Sequence, residues 1–326
     1  MKLLIQTLDN DGRLRLVPEY LTTPWQIRVA DSADLPAFAQ ALSDTDAVIS
    51  MAWPSHFPPA PRLRLLQLPG AGLDAIAFDH VSPTAYVCNA FEHEIGISEY
   101  VIGAMLEWSI GFRHLDRRIR VGDWTGSYLC GPHHGELFGA TVGIIGYGHI
   151  GREVARRAAP FGMRLLASGR QTAPGDGVVE RIFGADQLDD LLAVSDFVVL
   201  AVPLTDQTRG FINQARLRVM KPNAVIINVA RGAVINESDV FEALKARRIG
   251  GAVLDVWFNY PKQGETRGTA PWNLPFDQLD NVILTPHASG WTTGITARRN
   301  RVIADNLNRL ARGEPLINVV RVPRSH

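Results

Sequence analysis

A chain of 326 residues with 46% apolar side chains is long enough to build two domains with separate cores. Its 33 Lys and Arg balance 33 Asp and Glu, so no net charge favours nucleic acid or an anionic membrane. Two cysteines, Cys88 and Cys130, provide neither a disulfide framework nor a CxxC metal pair, which suits a reducing compartment and points to no bound metal.

The opening apolar run, Met1 to Gln6, is too short for a signal peptide. The longest apolar stretch, Tyr100 to Phe112, carries Glu107 and is too short to span a bilayer. A cytoplasmic protein is expected. Short apolar or β-branched runs at Lys2–Thr7, Gln26–Ala30, Ala47–Met51, Leu63–Leu68 and Tyr86–Cys88 predict strands, with a helix over Asp34–Ser43 among them. The alternation predicts a small parallel α/β layer. A long helix is expected from Ile97 to Val121, with apolar residues on every face of Tyr100 to Phe112. Such a helix wants burial on more than one side, and a homodimer through it is one way to supply that.

A second series of strands begins at Thr141: Val142–Ile145, Arg164–Ala167, Phe197–Val202, Ala224–Val229, Ala252–Val256 and Val282–Thr285. Helical stretches between them predict a doubly wound sheet of about six strands. Residues 260–275 form a Pro- and Gly-rich loop without periodicity, and a last helix, Thr293 to Arg312, is expected to return to the first domain. The fold class is therefore α/β with two doubly wound parallel-sheet domains. Residues 1–97 and 292–326 make the first, and residues 98–291 are inserted as the second.

The second series opens on Thr-Val-Gly-Ile-Ile-Gly-Tyr-Gly-His-Ile-Gly, residues 141–151. A strand runs into Gly146-x-Gly148-x-x-Gly151 and then into a helix, the order a dinucleotide-binding turn requires. Gly146 permits the tight turn, Gly148 lets backbone approach a pyrophosphate, and Gly151 lets helix and strand pack closely. The free N–H groups of the helix start receive the phosphate charge. About 20 residues later an NAD site carries an acid at the end of its second strand. Here that strand ends Ser168-Gly169-Arg170, and the acidic position is Gly169. A guanidinium can bind a 2′-phosphate that an acid would repel, so NADP is favoured, with NAD left open. Asp176 is the nearest later acid, and Pro174-Gly175 assigns it to the following loop.

Ligands in open α/β sheets bind at the carboxyl ends of strands. Three such ends carry unusual residues: Arg231 after Ile-Ile-Asn-Val-Ala, Asp255 after Ala-Val-Leu, and His287 after Leu-Thr-Pro. Each alone has a bland structural explanation. Together, beside a dinucleotide turn, they supply a planar fork for a carboxylate and a proton carrier active near neutral pH.

These segments, with Gly70-Ala71-Gly72-Leu73-Asp74, Ser98-Glu99, Gly122-Asp123-Trp124, Glu136–Gly139, Pro203-Leu204-Thr205 with Thr208, and Asn228–Gly232, resemble the D-isomer-specific 2-hydroxyacid dehydrogenases. The likeness covers most of the chain. It implies a Rossmann dinucleotide-binding domain inserted into a flavodoxin-like substrate domain, and a homodimer. It implies that Arg231 binds and polarises a 2-oxo acid, that His287 is the acid/base, and that the backbone at Ala71 and Gly72 holds the substrate carboxylate. His149 and Ile150 fall at the pyrophosphate, Ser168 and Arg170 at the 2′-phosphate. Pro203, Thr208 and Ala230 fall along the cofactor cleft, and Asp255 at the nicotinamide. The Ser-Gly-Arg at 168–170 is similar to NADP-using glyoxylate/hydroxypyruvate reductases. Other readings are a dehydrogenase of another small anion, formate- or phosphite-like, and a nucleotide-sensing protein of the same fold.

The likeness breaks at Tyr260. The family places there a Glu that bonds the histidine and keeps it protonated, whereas a phenol is neutral at pH 7. An insertion around Lys262 to Ala270 is also expected. The expectation is a histidine without its usual carboxylate, with Glu265 as the alternative partner.

Overall fold

The structure is a computed structural model that describes residues 1–7, 12, 14–262 and 265–323. The chain divides into two compact units, one of residues 1–92 together with Thr292 onward, the other of residues 93–291. The first segment contributes β1 (Lys2–Thr7), α1 (Val17–Tyr20), β2 (Gln26–Asp31), α2 (Leu35–Leu42), β3 (Ala47–Ile49), β4 (Leu65–Gln67) and β5 (Tyr86–Cys88). The second unit follows with α3 (Glu94–Ile110), α4 (Phe112–Ile119), β6 (Thr141–Ile145), α5 (His149–Ala158), β7 (Arg164–Ser168), β8 (Ala173–Pro174) and β9 (Arg181–Phe183). It continues with α6 (Leu188–Val194), β10 (Phe197–Leu200), α7 (Gln214–Val219), β11 (Val225–Asn228), α8 (Glu237–Lys245), β12 (Gly251–Leu254) and β13 (Val282–Leu284). The chain then returns to the first unit as α9 (Ile295–Arg312) and β14 (Val319–Arg321).

The smaller sheet runs β14-β5-β4-β3-β1-β2. Its five main strands are parallel in the 2-1-3-4-5 flavodoxin-like order, and β14 adds antiparallel to β5. Strand alternation sends Leu4, Val48 and Leu66 to one face with Phe38, Leu42 and Trp53. The opposite face sends Leu3, Ala47 and Leu65 against Ile303, Leu307 and Leu310 of α9. A parallel sheet must be covered on both sides, and α9 is one of the two covers.

The larger sheet runs β13-β12-β11-β10-β6-β7-β9-β8. Counted from β6 within this unit, β9-β7-β6-β10-β11-β12 is the 3-2-1-4-5-6 dinucleotide-binding order. The switch point lies between β6 and β10, which pair in parallel. On one face α3 packs through Ile97, Val101 and Met105 into a cluster with Val154, Ala155 and Ala158 of α5 and with β6.

Two expectations change, the span of the long helix and the number of strands in the larger sheet. The helix over 97–121 is two helices, broken where Gly111 takes φ 74° and closes α3 by accepting the chain into a left-handed turn. The sheet has eight strands, because β8 and β9 are too short to register as apolar runs. Ile97, Val101, Ile102 and Met105 of α3 are buried inside its own unit, while Leu106, Trp108 and Ile110 near its end are partly exposed. The exposed large apolar side chains come later, at Phe112, Ile119, Val121, Trp124, Tyr128, Leu129 and Phe138. Among the described residues, no helix is long and apolar enough to cross a membrane.

Candidate active site

Strand β6 is buried along its whole length and ends in Gly146, whose φ is +100°. A Cβ there would lie 2.6 Å from the Ala201 carbonyl oxygen, at the end of β10. A Cβ on Gly151 would lie 2.3 Å from the Gly146 oxygen, so only glycine lets α5 start this close to the strand. A Cβ on Gly148, by contrast, would meet no atom within 4 Å. The N-terminus of α5, with exposed His149 and partly exposed Ile150, therefore faces open space bounded by backbone. The donor set and the room both fit a dinucleotide pyrophosphate.

The neighbouring strand end continues the cradle. The Ser168 carbonyl accepts the N–H groups of Gly146 and Tyr147, each at 3.2 Å. Ser168 is buried and Arg170 is exposed. Asp176 does not stay out in its loop. Its carboxylate accepts from the Tyr147 hydroxyl at 2.9 Å and the Arg152 guanidinium at 3.0 Å, which brings an acid back to the glycine turn with its charge matched. Sequence spacing hides this because the loop doubles back through β8. On the other side of the switch point, the Thr208 hydroxyl donates to the Pro203 carbonyl at 2.7 Å and accepts the Thr205 N–H at 2.8 Å. Thr208 thus ties down the loop after β10.

Arg231 is set by a residue whose role the sequence does not announce. Asn228, buried at the end of β11, accepts the Ala230 N–H at 3.1 Å and donates to the Arg231 carbonyl at 3.1 Å. Its side chain closes the turn that carries both. The Arg231 guanidinium donates to the Ala230 carbonyl at 2.8 Å. A Cβ on Gly232 would lie 2.2 Å from the Trp257 oxygen, so this turn sits directly on the segment after Asp255.

Asp255 is 0% exposed. One carboxylate oxygen accepts the Thr285 hydroxyl at 2.5 Å and the Ala288 N–H at 2.8 Å, and the other accepts the Ser289 N–H at 2.9 Å. The Tyr100 hydroxyl donates to Thr285 at 2.7 Å, and burial pushes that phenol up to about 12. The carboxylate therefore grips the loop on both sides of His287, whose φ is +57°. A left-handed conformation costs an ordinary residue about 1–2 kcal/mol. Hydrogen bonds to a charged group contribute roughly 1.5–3 kcal/mol each and outweigh it.

The His287 ring is met by Tyr260. The phenol oxygen lies 2.9 Å from Nδ1 and accepts the Trp257 N–H at 3.2 Å. The two rings are tilted by 56° with centroids 5.6 Å apart. Partial withdrawal from water lowers the imidazole below its ordinary value, the Asp255 charge opposes this, and the Arg231 charge adds to it. Glu265 does not take the partner role: its carboxylate accepts from the Lys262 N–H at 3.1 Å and the Thr269 hydroxyl at 3.4 Å, within its own loop. Two residues of the expected insertion, 263 and 264, lie outside the described residues. Trp291 is 58% exposed on the turn after His287, where its N–H bonds the Ala288 carbonyl at 2.9 Å.

Ala71 and Gly72 belong to the smaller unit, in the turn after β4. The Ala71 carbonyl accepts from Asn89 at 3.2 Å, and the Gly70 carbonyl accepts the Ala90 N–H at 3.2 Å, so the turn is pinned to the segment after β5.

A switch-point glycine turn with an Arg after β11 and a His after β13, on either side of the Asp at the end of β12, defines a dinucleotide-dependent oxidoreductase. Comparison with known proteins gives the family. The model of the D-isomer specific 2-hydroxyacid dehydrogenase NAD binding domain matches residues 102–289. A glyoxylate reductase of Thermococcus kodakarensis is 32% identical over 319 residues, covering 95% of this chain and 90% of that protein. One from Pyrococcus horikoshii is 34% identical over 330 residues, covering 95% and 92%. Among solved structures, the NADPH-dependent glyoxylate/hydroxypyruvate reductase of Sinorhizobium meliloti, in complex with NADP and sulfate, is 25% identical with a TM-score of 0.76, covering 98% of each chain. The chain belongs to the D-isomer specific 2-hydroxyacid dehydrogenases. It is an oxidoreductase acting on CH–OH donors, passing a hydride between a nicotinamide dinucleotide and a small 2-oxo or 2-hydroxy acid.

Proposed function

We propose that this protein is a cytoplasmic, NADP-preferring reductase of small 2-oxo acids of the glyoxylate or hydroxypyruvate kind, with residues 93–291 as its dinucleotide domain and the remainder as its substrate domain. The observation that carries this reading is the single frame in which Asp255, fully buried, grips the His287 loop while the Arg231 turn rests on the segment that follows Asp255. The activities of the relatives, a glyoxylate reductase and an NADPH-dependent glyoxylate/hydroxypyruvate reductase, agree with it.

In this reading Gly146, Gly148, His149, Ile150 and Gly151 hold the pyrophosphate, and Ser168 with Arg170 holds the 2′-phosphate. Pro203, Thr208 and Ala230 line the rest of the cofactor's course, and Asp255, itself fully buried, sets the nicotinamide end by gripping the His287 loop. When bound, the reduced nicotinamide supplies a hydride for C2 of the acid. The Arg231 guanidinium pairs with the substrate carboxylate and draws charge from the ketone. Protonated His287 gives its proton to the ketone oxygen as negative charge builds there; neutral His287 takes it back in the oxidative direction.

Following NADPH consumption over a panel of 2-oxo acids tests the reading. Turnover of glyoxylate and hydroxypyruvate is expected. Tight NADPH binding with no turnover of any acid would instead make the protein a nucleotide sensor.

The 2′-phosphate assignment rests on Arg170 and on the missing acid at Gly169. A charged hydrogen bond of this kind contributes about 1.5–3 kcal/mol. Arg170→Ala should therefore raise the KM for NADPH at least about tenfold and leave that for NADH nearly unchanged. Equal effects on both cofactors would remove the assignment.

The pH dependence follows from the lowered imidazole. Reduction needs the protonated ring, and a lowered pKa moves its loss to more acidic solution. Reductive kcat/KM should decline with a midpoint below the ordinary histidine value of about 6.5. A profile flat to pH 8 would mean another group holds that proton.

The homodimer is proposed on the run of exposed large apolar side chains from Phe112 to Phe138, among them Trp124 and Tyr128, which a second copy would remove from water. Light scattering should give twice the 35.8 kDa chain mass, and a monomer mass at micromolar concentration would exclude it.

A further inference from the structure

Asp255 fixes the backbone on both sides of His287, but it does not fix the direction of the ring. The loop grip acts through the N–H groups of Ala288 and Ser289 and the hydroxyl of Thr285. Rotation about the imidazole's own bonds is left to other contacts. Tyr260 supplies one, and its hydroxyl is itself held. The Trp257 N–H donates to the phenol oxygen at 3.2 Å, while the Trp257 indole donates to the Thr285 carbonyl at 2.8 Å. Backbone, indole, phenol and imidazole thus belong to one connected frame built on the two segments that follow β12 and β13.

We propose that Tyr260 is the positioning residue of His287: its hydroxyl holds the ring by Nδ1, leaving Nε2 to face the reacting oxygen in both charge states of the imidazole. The inference rests on the assignment of His287 as the proton carrier. Its physical basis is the inventory of a phenol, which has one proton and two acceptor sites. With the imidazole neutral after Nε2 has given up its proton, the ring's remaining proton sits on Nδ1 and is donated to the phenol oxygen, which leaves Nε2 bare to act as the base. With the imidazole protonated, Nδ1–H donates to the phenol oxygen. That oxygen still accepts the Trp257 N–H on its other site, and the phenol proton turns to water, which a side chain 50% exposed can reach. The hydrogen bond therefore survives proton transfer at Nε2.

A carboxylate in the same place would hold Nδ1–H equally well but would add a negative charge that favours the imidazolium. The phenol adds none. The charged and titratable groups around the ring are then Asp255 and Arg231, with Tyr100 acting on Asp255 through Thr285. His93 lies against Gly290 on the same loop, its Cβ 3.5 Å from where a Gly290 Cβ would be. Tyr260 fixes direction, and these groups set the charge.

Tyr260→Phe keeps the ring and removes the hydroxyl. The reductive kcat should fall at least about tenfold, with the NADPH dissociation constant within about twofold of wild type. Histidine labelled with 15N in both ring positions gives a readout that needs no turnover, with the His287 signals assigned by comparison with His287→Gln. Wild type at high pH should show the proton on Nδ1, and Tyr260→Phe should shift it toward Nε2. Tyr260→Glu should restore the preference for a held Nδ1 and move the loss of reductive activity to higher pH by a unit or more. Unchanged tautomers in Tyr260→Phe, whatever the rate, would overturn the proposal. So would a Tyr260→Glu profile superimposable on wild type. Should the wild-type protein reduce no 2-oxo acid at all, the activity reading fails while the ring signals still decide the role of Tyr260.

Discussion

Replacing His287 by alanine should lower reductive kcat by about 10²- to 10⁴-fold, the range a positioned proton donor contributes. NADPH binding should change little, because the glycine turn and the 168–170 edge are built on β6, β7 and α5, independently of the 287 ring. The loop itself should survive the change. Asp255 holds it through Thr285 and the N–H groups of Ala288 and Ser289, none of which needs the imidazole. Alanine tolerates the left-handed position at 287 no better than histidine does, so the activity loss has to be measured on protein shown to bind NADPH. Loss of cofactor affinity in step with activity would contradict the assignment.

The second large effect is at Arg231. Arg231→Ala removes a planar fork whose two charged hydrogen bonds contribute about 1.5–3 kcal/mol each. Reductive kcat/KM should fall by a factor on the order of 10² or more. Both parameters should suffer, because in the proposed role the guanidinium binds the carboxylate in the ground state and meets growing charge in the transition state. Arg231→Lys should recover little, since an ammonium is a point charge without the fork. Near-normal kcat at saturating acid in Arg231→Lys would reduce Arg231 to a binding residue. Steady-state kinetics on glyoxylate separates these outcomes.

How much of this was legible in the residues varied with the range of the interaction. The glycine turn was fully legible, because strand, glycines and helix follow one another in the chain, and each glycine does there what its place in the motif requires. The main strands were legible from their apolar runs, whereas β8 and β9, of two and three residues, fall below any periodicity. The break at Gly111 was masked by the apolar residues on both sides, which continue a helical pattern through it. The return of α9 to the first unit was anticipated from that unit's missing element, but the antiparallel addition of β14 was not.

At the site, residue identity was legible and residue contact was not. Arg231, Asp255 and His287 stand out as unusual residues at strand ends. Nothing in their spacing says that Asp255 spends both carboxylate oxygens on the loop of His287, or that Asn228 closes the turn of Arg231. Tyr260 was legible as a departure, and its bond to a residue 27 positions away was not. A phenol has the reach of a longer acid, which is the signal that could have suggested it. Glu265, the acid that sequence proximity offered, is consumed by its own loop.

The most direct test of the account is the product of hydroxypyruvate reduction by NADPH, resolved by chiral chromatography. A 2-oxo acid held by Arg231 with His287 at its ketone oxygen offers one face to the hydride, and the family to which the chain belongs is specific for the D isomer. The account predicts D-glycerate in one-to-one stoichiometry with NADPH consumed, and formation slower by about 10²- to 10⁴-fold in His287→Ala at matched protein concentration. L-Glycerate, a racemate, or undiminished turnover in His287→Ala would contradict it.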